Sequence, residues 1–185
     1  IPVLQDDQIN FSIQVLVEHR LANLDAREAD LAIRYGRGPW PGVNATLLLR
    51  ERVFAVASPQ VARRYRKAET SAILSETLLH DSDTKLWRLW CKEAGFPYAP
   101  RGGERRFEDY DLVLSAAEAG LGVALARWPL AADSLDAGRL VRLGGPAFDN
   151  PNANFVVTRA GEHRLPVLRL VDRLLAQVAG AGAPG

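Results

Sequence analysis

The sequence is poor in sulfur: its 185 residues include one cysteine and no methionine. The lone Cys91 cannot form an intramolecular disulfide, so a secreted scaffold held by disulfides is disfavoured and a reducing compartment is expected. Because the chain opens on Ile1-Pro2 rather than on methionine, we expect its natural N-terminus to lie upstream.

Net charge and long apolar runs are also scarce. Lys plus Arg number 23 and Asp plus Glu number 22, a net charge of +1, which supplies no global field for a polyanion. The longest apolar runs, such as 53–57 and 121–126, are far shorter than the roughly 20 residues of a membrane helix. No signal sequence opens the chain. These absences exclude nucleic acid and membrane as partners of this segment and favour a cytoplasmic location.

The remaining composition, 48% apolar and 24% charged, is typical of a folded domain. Period-two alternation and turn residues predict strands, and caps with 3.6-residue periodicity predict helices. We expect strands at 11–17, 29–35, 45–50, 52–57, 78–80, 121–126, 140–143 and 154–159, one more ending at Phe107, helices at 59–66, 84–94, 110–119, 129–135 and 165–178, and a disordered tail at 181–185. This alternation predicts an α/β domain with mostly parallel sheets and helices on both faces.

Three predicted strands run directly into a helix start, at residues 57–59, 107–109 and 126–129. In open α/β sheets, ligands bind beyond the carboxyl ends of strands, where helix N-termini present unpaired N–H groups. Each switch taken singly is also explained as an ordinary helix cap. Together they predict a cleft suited to a small anion, such as an amino acid or a carboxylate.

Four stretches carry a family pattern: residues 30–42 (DLAIRYGRGPWPG), 54–59 (FAVASP), 87–95 (WRLWCKEAG) and 107–143, which contains AAEAGLGVAL and GRLV. In order and spacing they resemble the effector-binding domain of LysR-type transcriptional regulators. The similarity is to the subgroup that contains the glycine-cleavage activator, the tryptophan-synthase activator and the β-lactamase regulators.

The resemblance implies a two-lobed, type II periplasmic-binding-protein-like α/β fold with an effector between the lobes. The first lobe would contain residues 1–75 and 158–180, and the second 76–157, with crossing strands near 78–80 and 155–157. It further implies a homo-oligomer, a dimer or, in the full-length parent, a tetramer. An N-terminal winged helix-turn-helix would make the DNA contacts. That DNA-binding part and the first strand of the sensor are expected to be absent from this chain.

Seven residues are candidates for binding the effector at the implied cleft. Arg34 and Tyr35 end a predicted strand, where a guanidinium can hold a carboxylate in bidentate fashion, and Arg127 is the counterpart in the second lobe. Ser58 either contacts a ligand or only caps a helix, and Phe155 either floors the cleft or belongs to the core. The full set is Arg20, Arg34, Tyr35, Gly36, Ser58, Arg127 and Phe155.

Other chemistries find less support in the sequence. Cys91 with His80 has no third group to complete a nucleophilic site, and His80, Asp81 and Asp83 lack a second cluster to complete a metal site. We therefore expect no catalytic residue, no metal and no cofactor. Three rivals to the regulator remain: a solute-binding protein of a transporter, a small α/β enzyme, and a domain whose cleft is vestigial and which serves oligomerisation.

Overall fold

The computed structural model describes residues 11–18, 20–65 and 70–178. They form two compact units, one containing the residues up to Arg50 together with those from Pro151, the other Glu51–Asn150. Within the described residues, no helix is both long and apolar enough to span a membrane.

The strands are β1 (Ala32–Gly36), β2 (Val43–Ala57), β3 (Leu78–Asp81), β4 (Glu104–Phe107), β5 (Ala124–Trp128), β6 (Val141–Arg142) and β7 (Phe148–Arg159). The helices are α1 (Pro59–Ala62), α2 (Lys85–Glu93), α3 (Tyr110–Glu118), α4 (Ala132–Asp136) and α5 (Leu165–Val178), and 3₁₀ turns lie at Arg63–Tyr65 and Thr70–Ser75.

The first unit is built from β1, β7, the beginning of β2 and α5. β1 pairs antiparallel with β7, so that Ala32 lies opposite Val157 and Gly36 opposite Ala153. β7 in turn lies between β1 and β2. The helix α5 has the bounds that its apolar periodicity predicts. Its Val167 is buried.

The second unit has apolar clusters on both faces of its paired strands. β2 and β5 pair antiparallel from Arg52 opposite Trp128 to Val56 opposite Ala124. Since successive strand residues point to opposite faces, Val53 packs in the cluster that contains Trp87 and Trp90 of α2. Phe54 packs in the other cluster, with Val113 of α3. The predicted covering of both faces by helices is confirmed for this unit.

The two helices that cover this unit form where the sequence places them. Trp87 and Trp90, three residues apart on α2, are both buried and meet edge to face with ring centroids 5.4 Å apart. Asp109 caps α3 by accepting a hydrogen bond from the amide of Asp111 at 2.7 Å. Cap and periodicity are local signals, and for this reason they were readable in the sequence.

The predicted parallel sheet is wrong for most strand pairs. β1 with β7, β2 with β5 and β2 with β6 are all antiparallel, whereas β3 and β4 are parallel. A helix between two strands implies a parallel pair only when those strands are neighbours in the sheet. The antiparallel partners here lie far apart along the chain, so the local alternation of elements does not set their direction.

Several predicted elements are corrected. The strand at 11–17 is wrong: residues 12–17 belong to no strand or helix, and Val15 and Val17 are 57% and 82% exposed. Alternation alone cannot make a strand, because a strand also needs a neighbour to receive its backbone hydrogen bonds. The strands at 45–50 and 52–57 are one continuous strand, β2. The predicted helix at 129–135 begins only at Ala132.

The boundaries of the two units differ from those placed on the sequence. The chain passes between units within β2, at 50–51, and within β7, at 150–151, rather than near 78–80 and 155–157. Leu78, Leu79 and His80 instead form β3, a buried strand of the second unit. The predicted disordered tail at 181–185, His19 and the predicted end of a helix at Arg66 lie outside the described residues.

Candidate functional site

A buried ion pair lies where β2 and β5 run side by side in the second unit. The guanidinium of Arg127 donates from Nε to Oε2 of Glu51 at 2.8 Å and from Nη2 to Oε1 at 2.9 Å. The two side chains are 6% and 0% exposed. This bidentate fork is the geometry that makes arginine and carboxylate a strong, directional pair.

Three further side chains join the pair. Arg127 Nη1 donates to Oδ2 of Asp81, at the end of β3, at 2.6 Å. Asn150, on β7, donates from Nδ2 to Glu51 Oε2 at 2.7 Å. The ring of Tyr110 lies beneath the guanidinium, 4.7 Å from Cζ to the ring centroid, and its hydroxyl accepts from the amide of Arg127 at 2.7 Å. Four strands and the first residue of α3 are thereby tied together.

The electrostatics of this cluster follow from its burial. Burial raises the pKa of Tyr110 well above its ordinary range, which keeps the phenol neutral. A buried charge is tolerated only when it is paired and hydrogen-bonded, and the Glu51 fork meets that condition for Arg127. Asp81 is then an additional carboxylate, 17% exposed, beside a pair that already balances.

A second cluster, in the first unit, brings together three of the predicted residues. Arg34 of β1 lies opposite Phe155 of β7, and Gly36 follows two residues later on the same strand. Tyr35 lies between them, so its side chain points to the opposite face, and it is 39% exposed. The ring of Trp40 packs edge to face on Phe155, with centroids 5.5 Å apart, and lies 5.7 Å from the Cζ of Arg34. The loop at 37–42, predicted from its prolines and glycines, delivers this tryptophan.

Gly36 and Arg34 make the other contacts of this cluster. A Cβ added at Gly36 would lie 3.1 Å from the Trp40 ring, so glycine lets the indole cover the strand end. Arg34 Nη2 donates to the carbonyl of Ala22 at 2.9 Å. Its Nε is buried and has no hydrogen-bond partner among the described residues.

The remaining predicted residues lie elsewhere. Arg20 is exposed and pairs with Glu28 at 2.7 Å and Glu18 at 3.2 Å. Ser58 is buried in the second unit, where its Oγ accepts from the amide of Val61 at 3.4 Å and caps α1. The structure therefore groups Arg34, Tyr35, Gly36 and Phe155 in one unit and places Arg127 and Ser58 in the other.

Sequence reasoning missed Glu51, Tyr110, Asn150 and Trp40 as members of these clusters. A signal for Glu51 existed: alternation along β2 puts it on the same face as Val53, while Arg52 between them is exposed. An acid in the register of the core needs a buried partner. The identity of that partner, 76 residues away, was not readable from local pattern.

The structure also shows the surroundings of the residues considered for a nucleophilic thiol and for a metal site. Cys91 is buried in the core of the second unit, and burial raises the pKa of its thiol to about 11, so that little thiolate exists near neutral pH. Among the described residues, no group of three histidine, cysteine or acidic side chains is arranged to hold a metal ion.

Comparison with known proteins finds curated relatives that are named as transcriptional regulators. The glycine cleavage system transcriptional activator of Escherichia coli is 33% identical over 141 residues, which cover 76% of this chain and 46% of that protein. The regulator TrpI of Pseudomonas aeruginosa is 36% identical over 156 residues, 82% of this chain and 52% of that protein. The chain thus spans about half the length of these curated relatives.

Solved structures agree with the sequence relatives. The AmpR effector-binding domain of Citrobacter freundii has a TM-score of 0.73 at 26% identity and covers 85% of this chain and 78% of that chain. That of Pseudomonas aeruginosa has a TM-score of 0.74 at 26% identity, with 86% and 76% covered. These are LysR effector-binding domains, so the two-lobed periplasmic-binding-protein-like α/β fold is confirmed. With the model of the LysR substrate binding domain matching residues 4–180, the chain belongs to that family.

Proposed function

We propose that this chain is the ligand-sensing domain of a LysR-type transcriptional regulator and that it binds a small effector without transforming it. The family match over residues 4–180 is the observation that carries the proposal. The curated relatives are named as transcriptional regulators, which favours a sensor over a solute-binding protein or a small α/β enzyme. The effector's place between the lobes, implied by the family, stays a prediction.

The effector class that we propose is a small amino acid or carboxylate, held in the first unit by Arg34. Its buried Nε has no hydrogen-bond partner among the described residues, and the adjacent Trp40 ring lies within cation–π distance. A guanidinium fixed in this way offers donors suited to a carboxylate. Gly36 and Phe155 would shape the surroundings of that group, and Tyr35 would contact an effector from the opposite face of the strand.

The other three candidates receive more limited roles in this proposal. Arg127 has a structural role in the second unit, because its guanidinium already donates hydrogen bonds to Glu51 and Asp81. Ser58 caps a helix, and Arg20 offers an exposed cation beside two carboxylates. Arg127, Ser58 and Arg20 all remain candidates for contact with the effector.

For the whole protein we propose a cytoplasmic homo-oligomer, a dimer or tetramer, in which effector binding changes the geometry transmitted to DNA-binding segments. Several relatives are named HTH-type regulators, which supports DNA contacts through a helix-turn-helix segment other than this domain.

A thermal-unfolding screen of the chain against amino acids and small carboxylates tests the sensing role. A ligand that binds only the folded state at about 100 times its Kd stabilises it by about 2.7 kcal/mol. We expect at least one compound to raise Tm in a concentration-dependent manner. A panel in which no compound raises Tm at any concentration would contradict the proposal.

A further inference from the structure

The imidazole of His80, on β3, is buried inside the second unit. Its side chain is 0% exposed, whereas His163, in the turn before α5, is exposed to solvent. The third histidine of the chain, His19, lies outside the described residues. Histidine is the side chain whose ordinary pKa, about 6.5, lies close to physiological pH. A buried histidine is therefore placed to change its charge under mild acidification.

The hydrogen bonds around this ring suit a neutral imidazole. Within the described part of the chain, neither ring nitrogen has a well-formed hydrogen bond. Oε1 of Glu104, on β4, lies 3.1 Å from Nε2, and the same oxygen accepts a hydrogen bond from the hydroxyl of Tyr98. The guanidinium of Arg88 lies over the ring of Tyr98, with 4.6 Å between Cζ and the ring centroid. An imidazolium donates from both nitrogens, and this arrangement does not provide it with two well-placed acceptors.

The space beside the ring is too small to hydrate a charge. His80 and Trp87 line a cavity of about 20 Å³, and the two rings meet edge to face with centroids 6.5 Å apart. Roughly 10–15 Å³ on this measure holds one water molecule, so the cavity has room for a single water and not for a hydration shell. A buried charge is tolerated only when it is paired and hydrogen-bonded. Protonation of His80 therefore requires a local rearrangement.

Charged groups of both signs surround the ring. Burial lowers the pKa of His80, the carboxylates of Glu104 and Asp83 act in the opposite direction, and Arg106 of β4 adds to the lowering. Asp83 is also paired with Lys85 of α2 at 2.6 Å. The titratable side chains that line the cavity with His80 are Asp81, Asp83, Tyr110 and Arg127. Burial prevails over these charges, so the ring is neutral at physiological pH.

We propose that His80 is an acid-sensitive switch of the second unit: its protonation draws the Glu104 carboxylate away from Tyr98 and loosens β4 together with the connection at 95–103. The side chain of Glu104 is 32% exposed and has room to turn, whereas that of His80 is enclosed. The switch belongs to the domain without a ligand, so the inference goes beyond the proposed sensing function and does not depend on it.

Urea unfolding of the 185-residue chain between about pH 5 and pH 8, without any effector, is the first test. Because the pKa of His80 is lower in the folded chain than in the unfolded one, its contribution to stability is fully present above about pH 6.5 and is lost as pH falls towards the folded pKa. The slope of the unfolding free energy against pH gives the protons taken up on unfolding.

We expect the wild type to take up more protons than His80→Gln in this window, by up to about one. The matched control His163→Gln removes an exposed histidine and should take up as many protons as the wild type does. Equal proton uptake by the wild type and His80→Gln overturns the inference.

An NMR titration of the histidine rings decides if His80→Gln does not fold. The His80 signal is assigned by elimination with His19→Gln and His163→Gln. It should titrate below pH 6.5, and Glu104→Gln should lower the midpoint further, because it removes a carboxylate that favours the imidazolium. Glu93→Gln, an exposed acid of α2, should leave the midpoint unchanged. A midpoint at or above 6.5, or one that Glu104→Gln does not lower, contradicts the proposal.

Amide hydrogen exchange tests whether protonation loosens the predicted elements. Between about pH 7.5 and pH 5.5, the amides of β4 in the wild type should lose protection relative to those in Glu104→Gln, while the amides of α5, in the first unit, should keep theirs. Unchanged protection of β4, or an imidazole that stays neutral down to about pH 4.5, where carboxylates begin to titrate, overturns the switch. Either result leaves the proposed sensing function untouched, since no effector is present.

Discussion

Glu51 and Arg127 show how strongly single residues shape the second unit. Breaking a buried ion pair from one side leaves a charge without compensation, which costs about 3–5 kcal/mol. Loss of Glu51 also removes a partner of Asn150, and loss of Arg127 removes a partner of Asp81, because each of the two bonds to one member of the pair. The pair is therefore expected to matter far more than any exposed charge nearby.

The substitution Glu51→Ala should lower the free energy of unfolding by about 3 kcal/mol, since it removes the bidentate fork from a buried guanidinium and leaves Asp81 as its carboxylate partner. Urea denaturation followed by circular dichroism measures the effect. Arg52→Ala, the exposed neighbour on β2, is the control and should change stability by less than about 0.5 kcal/mol. Equal losses of unfolding free energy in the two variants would contradict the prediction that the buried pair contributes more to stability than an exposed charge.

At the scale of single elements, one side chain, that of Glu162, holds the turn that precedes α5. Glu162 accepts hydrogen bonds from the side chain and the amide of Arg164, from the amide of His163 and from the side chain of Arg159. These donors, the Arg164 guanidinium foremost, hold the pKa of Glu162 far below its ordinary range. The ionised carboxylate thus fixes the entry into the helix.

Because the pKa of Glu162 is lower in the folded chain than in the unfolded one, its contribution is present above the unfolded pKa and is lost as pH falls below it. Glu162→Gln should therefore destabilise the protein at pH 7, and the difference from the wild type should shrink as pH falls below about 4. Chemical denaturation at several pH values measures this. A difference that stays constant or grows on acidification would contradict it.

The matched control for this prediction is Asp172→Asn, which removes a carboxylate from the exposed side of the same helix. It should leave the free energy of unfolding within about 0.5 kcal/mol of the wild type at pH 7.

The elements also show what local pattern can and cannot predict. The bounds of α5 matched the prediction, and α2 and α3 were placed within a residue or two, because caps and apolar periodicity act within a few residues. The strand at 11–17 failed, and β2 was divided in two. Strand length and pairing depend on neighbours far along the chain, which alternation does not reveal.

At the scale of the whole molecule, β2 and β7 connect the two units, and the first and last residues of the second unit are bonded to each other. Glu51 follows the boundary on β2 and Asn150 precedes it on β7, with 2.7 Å between Asn150 Nδ2 and Glu51 Oε2. The family resemblance predicted the fold class, but the unit boundaries emerged only from the paired strands.

For the candidate site, the sequence pattern predicted single residues, and the folded structure shows which of them are in contact. Arg34 and Phe155 were predicted separately, and the antiparallel register of β1 and β7 brings them opposite each other. Arg127 was predicted as a ligand contact, but its partners Glu51 and Asp81 come from strands 76 and 46 residues away. The charge balance of such a site depends on those distant partners.

Effector binding by this chain is measured most directly by a calorimetric titration with the panel of amino acids and carboxylates, repeated on Arg34→Ala and on the exposed control Arg37→Ala. We expect saturable binding of at least one compound at one site per chain. Arg34→Ala should weaken it about tenfold or more, by the loss of charge-assisted hydrogen bonds, and Arg37→Ala should leave it unchanged. The absence of saturable binding by every compound, with the chain shown to be folded, would contradict this expectation.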